Sequence, residues 1–494
     1  MANPDDVGRT DPVILVSNRG PVQYDRRDGE RTAERGGGGL VTALAGLAGR
    51  LDDAVWVCGA LTDEDAVVAR EHGGKSFVLE GQGPGLRVRM VETDADHRHK
   101  FYAIISNPLL WFIQHYLWGL SSAPDITPRE TDAFENGYVP VNACFADAVA
   151  EEVEARGGRV TVMVQDYHFY LVPDRVRARC PEVFLQHFVH IPWPQPDSWR
   201  ILPPSMREAV FTGLLGNDVV AFHTERYARN FLLGCQELLG LRVDLDELSV
   251  EFDGRTVTAR WYPISIDPDE FEALARSAAV LEEERRLLDR RRDHLILRVD
   301  RADLSKNIVR GFRAFDVLLD DHPELAERVT FLALLQPSRT DVAQYADYLE
   351  CIRRVVADVN LKHGTSDWQP IDLRVQDDMN RAVAAYKLFD VLVVNAIFDG
   401  MNLVAKEAIL VNERDGVLAL SENTGAHEEL GRFSVTLHPF DIQQQADALW
   451  TALTMEAGER KGRREACTTV IRENDIGKWL RHQLLDVRRM REPG

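Results

Sequence analysis

Ionisable side chains stand just after several apolar, strand-length segments of this sequence, such as "VILV" and "LVVNAIF". These residues are Arg19, Asp166, His190, Arg301, Lys306, Arg339 and Asp399. In open α/β sheets, ligands bind beyond the carboxyl ends of the strands. Four cations and several hydrogen-bonding groups at such ends favour a phosphorylated, hydroxyl-rich ligand.

Each of these residues, taken alone, also has a structural interpretation. Arg19 could form a surface ion pair, and Asp166 could cap a helix. His190 could be a hydrogen-bonded core histidine. Arg301 and Lys306 could belong to a solvated helix start. Their joint placement at strand ends favours a binding site instead.

The segment "DGMNLVAKEAIL" (399–410) follows a buried strand and predicts a turn leading into a helix. Backbone amides at that helix start could bind a diphosphate. Glu407, about one turn further along, could accept hydrogen bonds from two ribose hydroxyls. A buried glutamate is costly unless paired, so either Lys406 or a sugar would compensate it. The alternative is a buried Lys–Glu pair that only holds the helix to the sheet.

The segment "RGGGGL" (35–40) could bring the backbone amides of Gly38 and Gly39 against a phosphate. A flexible loop is the alternative. The sequence has no Walker A motif, no HExxH and no nucleophile elbow. "HRHK" (97–100) lacks a second ligand cluster, and "DPD" (267–269) is a short, common pattern at a predicted hinge. We therefore predict no metal site.

Strands and helices that would position these residues alternate along the chain, in two successive series. One series runs from "VILVSNR" to "DVVAFHT", and the other runs from "LILRVDR" to "GVLALSE". This alternation predicts parallel α/β sheets in two domains, with a hinge near Pro263–Asp269. The length of 494 residues also exceeds what one ordinary core organises.

Composition narrows the classes of partner. The 79 acidic and 58 basic residues give a net charge of −21, which argues against binding to nucleic acid or an anionic membrane. The six cysteines form no CxxC pair, as expected for reduced thiols in a cytoplasmic protein. We expect neither a signal peptide nor a membrane span, because no apolar segment is long enough.

Taken together, these motifs resemble the trehalose-6-phosphate synthase family of retaining glycosyltransferases. The segments that carry the resemblance are "SNRGPV", "GGGGLVTAL", "SNPLLWFIQHY", "QDYHFYLVP", "HIPWP", "VDRADLSK", "SRTDV" and "DGMNLVAKEAILVN". The resemblance implies the α/β GT-B fold, in which two Rossmann-like, doubly wound domains face each other across a cleft. It implies a domain of residues 1–262 on the acceptor side, a domain of residues 263–475 on the nucleotide-sugar side, and a helix, 476–494, crossing back to the first domain.

The resemblance also implies a role for each matching residue. Arg301 and Lys306 would hold the donor diphosphate, and Gly38 and Gly39 would close over it. Glu407 would take the ribose. The remaining donor contacts would be Leu403 and Val404 on the nucleotide, with His190 and Asp399 on the transferred glucose. The acceptor contacts would be Arg19, Tyr102, Trp111, Asp166 and Arg339.

The implied reaction moves glucose from a nucleotide sugar to the C1 hydroxyl of glucose 6-phosphate, with retention of configuration. The family is thought to use front-face displacement, in which the departing phosphate oxygen takes the acceptor proton. No cofactor or metal would be required, because the cationic pair offsets the charge of the leaving group. The expected partners are these small substrates, and the chain could assemble as a homo-oligomer.

The sequence departs from the family at several positions. Asn307 stands where the family usually has glycine, as in relatives that use GDP-linked donors. Asp377 and Asp378 lie where the base should bind and could read the guanine edge, so we predict GDP-glucose over UDP-glucose. Two alternatives to the implied reaction remain. One is an enzyme that couples a nucleotide cyclitol to an aminocyclitol phosphate, and the other is a catalytically inactive, regulatory homologue that only binds sugar phosphate.

Overall fold

The computed structural model describes residues 12–36, 53–79, 86–339 and 342–491. The chain forms two compact units. The first comprises Met1–Tyr262 together with Leu480–Gly494, and the second comprises Pro263–Trp479. In the described ranges, none of the helices combines the length and the apolar character needed to cross a membrane.

The first unit is built on a ten-stranded sheet of described strands and a separate hairpin. Its strands are β1 (Val13–Ser17), β2 (Val22–Arg27), β3 (Glu30–Arg35), β4 (Ala54–Gly59), β5 (Phe77–Val78), β6 (Leu86–Val91), β7 (Thr161–Gln165), β8 (Phe184–Phe188), β9 (Val219–Phe222), β10 (Val243–Asp244), β11 (Ser249–Phe252) and β12 (Arg255–Trp261). Strands β2 and β3 form the hairpin, and the others lie in the order β10-β11-β12-β9-β8-β7-β1-β4-β6-β5.

The first sheet is doubly wound about β1. The chain proceeds from β1 outward through β4 and β6, then returns to the other side of β1 and continues through β7, β8 and β9, all in parallel. The order reverses between β1 and β7, which are neighbours. All five residues of β1 are buried, as expected for a strand covered on both faces.

Helices accompany these strands. They are α1 (Asp63–Glu71), α2 (Ala95–His99), α3 (Trp111–Gln114), α4 (Pro128–Ala133), α5 (Val139–Ala155), α6 (Val172–Arg179), α7 (Pro196–Trp199), α8 (Pro204–Leu215) and α9 (Glu225–Leu239). Wider, π-type turns cover Lys100–Leu110 and Phe134–Tyr138, and a 3-10 turn covers Tyr167–Phe169.

The second unit contains a six-stranded, entirely parallel sheet. Its strands are β13 (His294–Arg301), β14 (Val329–Gln336), β15 (Ile371–Val375), β16 (Val391–Val394), β17 (Val417–Ser421) and β18 (Val435–Leu437). They lie in the order β15-β14-β13-β16-β17-β18, the doubly wound order of a Rossmann sheet. Here the order reverses between β13 and β16.

The helices of this unit are α10 (Pro268–Ala275), α11 (Ala278–Leu288), α12 (Ile308–Asp321), α13 (Ala343–His363), α14 (Met379–Leu388), α15 (Leu403–Val411), α16 (Gly425–Leu430), α17 (Ile442–Thr454) and α18 (Ala457–Glu473). Short 3-10 turns cover Leu304–Lys306, Pro323–Leu325 and Gly431–Phe433. Helix α12 shows why these segments pack on the sheet. Phe312 and Phe315 lie on its apolar face and meet the ring of Phe331 edge-on, at 5.2 and 5.3 Å.

The last helix, α19 (Ile476–Arg491), begins in the second unit and continues in the first from Leu480 onward. Within the first unit, buried Gln483 accepts a hydrogen bond from Gln186 at 2.6 Å, and Asp486 accepts one from Tyr262 at 2.8 Å. The chain therefore returns to the first unit after completing the second. The two-domain α/β prediction is confirmed.

Candidate active site

The reversal point of the second sheet brings together three of the predicted donor residues, Arg301, Lys306 and Asp399. Arg301 ends β13, and Lys306 lies in the 3-10 turn that follows it. Asp399 lies on the loop between the neighbouring strand β16 and α15. Lys306 Nζ is 2.5 Å from Asp399 Oδ2, and Asn402 donates to the same oxygen at 3.1 Å. The structure therefore brings Lys306 and Asp399 together.

The backbone conformation at Asn307 explains why asparagine is suitable at this position. Its φ and ψ of 57° and 35° lie in the left-handed region, which glycine and asparagine tolerate best. Its side chain is buried and donates to the carbonyls of Asn395 (3.0 Å) and Pro439 (2.6 Å), while its amide oxygen accepts from Arg310. Asparagine therefore fits this left-handed turn, which glycine would also tolerate, and its side chain bonds within the protein.

Glu407 lies in α15 in an environment that favours its neutral form. Burial raises the pKa of its carboxyl to about 7, and a long 3.5 Å hydrogen bond from Tyr386 opposes that shift only partly. Leu403 and Val404, predicted to lie against the nucleotide, form the first turn of the same helix and are half-buried.

Lys406 does not compensate Glu407. Its ammonium is 2.6 Å from Glu429 and donates to the carbonyl of Ile264 at 2.9 Å, and its side chain is 1% exposed. The suggested pairing of Lys406 with Glu407 is therefore wrong. Adjacent helical residues point about 100° apart, so Lys406 faces α16 and Glu407 faces Tyr386.

A buried network that the sequence analysis missed holds the two loops together. Arg298 is fully buried within β13 and is 2.9 Å from Asp300. It donates to Asn395, which follows β16, and to the carbonyls of Lys306 (3.0 Å) and Ile308 (3.3 Å). An arginine inside "LILRVDR" was the available signal, because a buried arginine must find partners.

A second missed residue is Asp303, whose side chain is fully buried. Its Oδ1 caps the lysine turn by accepting from the Ser305 amide at 3.0 Å. Its Oδ2 is 3.1 Å from Arg339 and 3.6 Å from Arg301. Arg339 also packs over the ring of Tyr345, at 5.1 Å. Arg339 was predicted as a contact of the acceptor, and in the structure it lies near Arg301, on the other side of Asp303.

The reversal point of the first sheet carries the other predicted acceptor residues. Arg19 follows β1 and is exposed. Asp166 follows the neighbouring strand β7 with φ 72° and ψ 174°, a conformation that is costly for any residue except glycine. Its amide donates to the Phe188 carbonyl (2.7 Å), its carbonyl faces His187 Nε2 (3.0 Å), and its carboxylate accepts from the His190 amide (3.3 Å). Strain of this kind is typical of functional sites.

His190 is held as a neutral imidazole. Burial lowers its pKa well below the usual range, and the nearby His223 and His187 act in the same direction. Its Nε2 is 2.9 Å from Gln165 Oε1, and Gln165 uses its own NH₂ group to donate to the Met163 carbonyl. Nε2 of His190 therefore carries the proton. A neutral ring suits contact with a sugar hydroxyl better than with a phosphate.

Tyr102 and Trp111 pack on the turn that follows Asp166. The ring of Tyr102 is nearly parallel to that of His168, with 6.1 Å between centroids. Trp111 meets Tyr167 edge-on at 5.5 Å. Buried polar residues hold this turn from behind. Tyr138 donates to the carbonyl of Tyr167 at 2.8 Å, and Asn142 donates to that of His168 at 3.1 Å.

Gly38 and Gly39 lie outside the described residues. Asp267 of the "DPD" segment caps α10 by accepting from two backbone amides. Elsewhere in the second unit, Asp316, Asp320 and His363 place three metal-ligand atoms within 4.8 Å of one another. Lys362 already balances that charge, because its ammonium is 2.9 and 2.5 Å from the two carboxylates.

Comparison with known proteins identifies relatives along nearly the whole chain. The sequence model of glycosyltransferase family 20 matches residues 11–489. The α,α-trehalose-phosphate synthase (UDP-forming) of Schizosaccharomyces pombe is 31% identical over 472 residues, which cover 92% of this chain and 86% of that protein.

Two solved structures have the same fold. A structure from E. coli bound with UDP-2-fluoro glucose has a TM-score of 0.82 at 25% identity and covers 96% of this chain and 98% of its own. The α,α-trehalose-phosphate synthase (UDP-forming) of Burkholderia xenovorans in complex with glucose-6-phosphate has a TM-score of 0.81 at 27% identity, covering 97% and 100%. This chain therefore belongs to glycosyltransferase family 20, the trehalose-6-phosphate synthase family, and is a glycosyltransferase with the GT-B fold.

Proposed function

We propose that the protein transfers glucose from a nucleotide glucose to the C1 hydroxyl of glucose 6-phosphate, which yields α,α-trehalose 6-phosphate with retention of configuration. The observation that carries the proposal is the group of Arg301, Lys306 and Asp399 around the reversal point of a Rossmann sheet. Nucleotides bind at such points. The S. pombe and B. xenovorans relatives carry the name of this activity.

On the donor side, Arg301 and Lys306 would bind the diphosphate, and Glu407 would accept hydrogen bonds from the ribose. Asp399 would turn from Lys306 toward the hydroxyls of the transferred glucose. The two cations would stabilise the negative charge that grows on the leaving phosphate. Because they supply that charge, we expect the reaction to need no metal or other cofactor.

On the acceptor side, Arg339 would bind the 6-phosphate, since a guanidinium group suits phosphate oxygens. Asp166, Tyr102 and Trp111 would contact the sugar ring. In the front-face mechanism, the departing phosphate oxygen takes the proton of the C1 hydroxyl as the new glycosidic bond forms. The protein then contributes position and charge stabilisation and no covalent intermediate.

For the donor base, we favour UDP-glucose. The S. pombe and B. xenovorans relatives are named UDP-forming, and the E. coli structure is bound with a UDP sugar. The residues behind the GDP-glucose prediction also have structural roles. Asn307 bonds within the protein, and Asp378 caps α14 by accepting from the Arg381 amide at 3.0 Å. Of the residues behind the GDP-glucose prediction, only Asp377 is exposed, and the relatives do not support that preference.

The test is a donor panel of UDP-, GDP- and ADP-glucose with glucose 6-phosphate, following nucleotide release and identifying the disaccharide by NMR. We expect an α,α-linked product and the highest kcat/KM with UDP-glucose. A higher value with GDP-glucose would overturn the donor assignment alone. No transfer to glucose 6-phosphate from any of the three donors would overturn the proposed reaction.

A further inference from the structure

One buried carboxylate contacts both arginines of the second unit that are proposed to bind phosphate. Asp303 Oδ2 is 3.1 Å from Arg339 Nη1 and 3.6 Å from Arg301 Nη2. The hydroxyl of Tyr345 is 3.4 Å from the same oxygen and also accepts a hydrogen bond from Arg339. A guanidinium with this many contacts loses most of its rotational freedom.

The other carboxylate oxygen organises the backbone that carries Lys306. Asp303 Oδ1 accepts from the amide of Ser305 at 3.0 Å and from its hydroxyl at 2.9 Å. The carbonyl of Asp303 accepts from the amide of Lys306 at 3.1 Å. One side chain thus connects two guanidinium groups on one oxygen with the lysine turn on the other.

We infer that Asp303 is a positioning residue for the transfer reaction, one that fixes Arg301, Arg339 and the turn of Lys306 in a single arrangement. The inference rests on the proposed function, because it assigns those cations to the phosphates of donor and acceptor. Asp303 itself touches neither substrate. It acts by holding the guanidinium groups at the spacing that the two phosphates require.

The charge of Asp303 and its positioning role predict opposite effects when the carboxylate is removed. A negative charge beside two arginines weakens their attraction for anions, so neutralising it would by itself tighten phosphate binding. Loss of orientation weakens binding and slows transfer, because the long side chains must be ordered again. Asparagine at this position keeps an oxygen to cap Ser305 and turns an NH₂ group toward Arg339 and Arg301.

The chain offers a matched control in Asp390. This carboxylate is also buried, contacts Arg291 and Arg460, and accepts from the amide of Leu295 at 2.8 Å. It directly precedes β16, so it lies at the amino end of the sheet, away from the reversal-point loops. Asp390→Asn therefore removes a comparable ion cluster without touching the proposed site.

The experiment compares Asp303→Asn and Asp390→Asn with the parent enzyme in Tm, in kcat and KM for both substrates, and in calorimetric binding of UDP and of inorganic phosphate. For Asp303→Asn we expect KM for glucose 6-phosphate to rise roughly tenfold or more, with a similar fall in kcat. For Asp390→Asn we expect a lower Tm with both KM values within about twofold of the parent.

Three outcomes would overturn the inference. They are tighter anion binding in Asp303→Asn, unchanged kinetics in that variant, or the same kinetic loss in Asp390→Asn. If Asp303→Asn does not fold, Tyr345→Phe takes its place. That variant removes one contact of Arg339 and keeps the buried charge, and it should raise KM for glucose 6-phosphate more than KM for the donor. An unchanged KM ratio in Tyr345→Phe would then refute the inference.

Failure of the proposed function gives a different result. A parent enzyme that binds UDP and phosphate but does not transfer glucose to glucose 6-phosphate refutes the reaction. In that case the inference about Asp303 is judged by calorimetry, through the UDP and phosphate affinities of Asp303→Asn. Affinities at or above those of the parent would refute it as well.

Discussion

Lys306 Nζ and Asp399 Oδ2 lie 2.5 Å apart although 93 residues separate them in the chain. Their loops meet because β13 and β16 are neighbours at the reversal point of the sheet. Both side chains are mostly buried, so removal of either partner would leave the other charge buried without its counter-ion. Asp399 thus balances the lysine charge without substrate, and a diphosphate would share or replace that contact.

Lys306→Ala should lower kcat/KM by about 10²–10³, which corresponds to roughly 2–4 kcal/mol of lost transition-state stabilisation. The reason is that charge on the leaving diphosphate grows as the bond to glucose breaks. Steady-state kinetics with a coupled assay for nucleotide release measures this. Lys362→Ala is the control, because Lys362 also contacts two aspartates but lies outside the site. Near-parental activity of Lys306→Ala would disprove the diphosphate role.

Arg301→Ala should give a loss of similar size, about 10²–10³ in kcat/KM for the donor. Arg301→Lys should recover only part of it, because an ammonium cannot make the paired contacts of a guanidinium. The matched control is Arg328→Ala. Arg328 directly precedes β14, at the amino end of the sheet, and its exposed side chain pairs with Asp293. Full activity of Arg301→Lys would show that charge alone suffices there.

Arg339→Ala should raise KM for glucose 6-phosphate strongly and change KM for the donor less. Arg339 is held beside Asp303 and Tyr345, and a fixed guanidinium is well suited to a phosphate. The comparison is with Arg353→Ala, an exposed arginine on α13. Unphosphorylated glucose should also be a poor acceptor for the parent enzyme. Equal use of glucose and glucose 6-phosphate would contradict the acceptor-phosphate assignment.

Glu407 should make stability depend on pH. Its pKa is raised to about 7 from an ordinary value of 4.5, so the unfolded chain releases this proton at lower pH than the folded one. Between those two values the folded state therefore loses up to roughly 3 kcal/mol of stability as pH rises. Glu407→Gln should be more stable than the parent at pH 8 and equal to it at pH 4, as measured by urea denaturation.

The control for Glu407 is Glu413→Gln, an exposed glutamate beyond the end of the same helix. The pH dependence of KM for the donor gives a second measure of the ionisation of Glu407. If ionised Glu407 accepts from the ribose hydroxyls, KM for the donor should fall as pH rises through about 7, and Glu407→Gln should abolish that dependence. A stability difference that is the same at pH 4 and pH 8 would show that the carboxyl is not perturbed.

Asn307→Gly should keep the donor preference of the parent, because the asparagine side chain bonds to the carbonyls of Asn395 and Pro439. Asn307→Ala should be less stable by about 1 kcal/mol or more, since alanine disfavours a positive φ. The measurement is the ratio of kcat/KM for UDP- and GDP-glucose, with thermal unfolding of both variants. A reversed donor ratio in Asn307→Gly would restore Asn307 as a specificity residue.

The sequence by itself determined the two series of strands, and with them the polar residues at the strand ends. Strands and helices follow from apolar patterns over a few residues, and the carboxyl ends of parallel strands share one edge. That local information predicts Arg301, Lys306, Asp166 and Asp399 as ligand contacts, and it places each of them at a strand end. The motifs around them were enough to identify the family.

Only the tertiary structure decided which partner each of these groups has. Lys406 pairs with Glu429 and not with Glu407, and Asn307 serves a left-handed turn. Asp303 contacts both Arg301 and Arg339, and Arg339 lies 36 residues further along the chain than Asp303. Such pairs depend on the direction of each side chain and on which strands are neighbours, and those strands are distant in sequence. Because an unpaired buried charge is costly, each buried charge pairs with the group that tertiary packing places next to it.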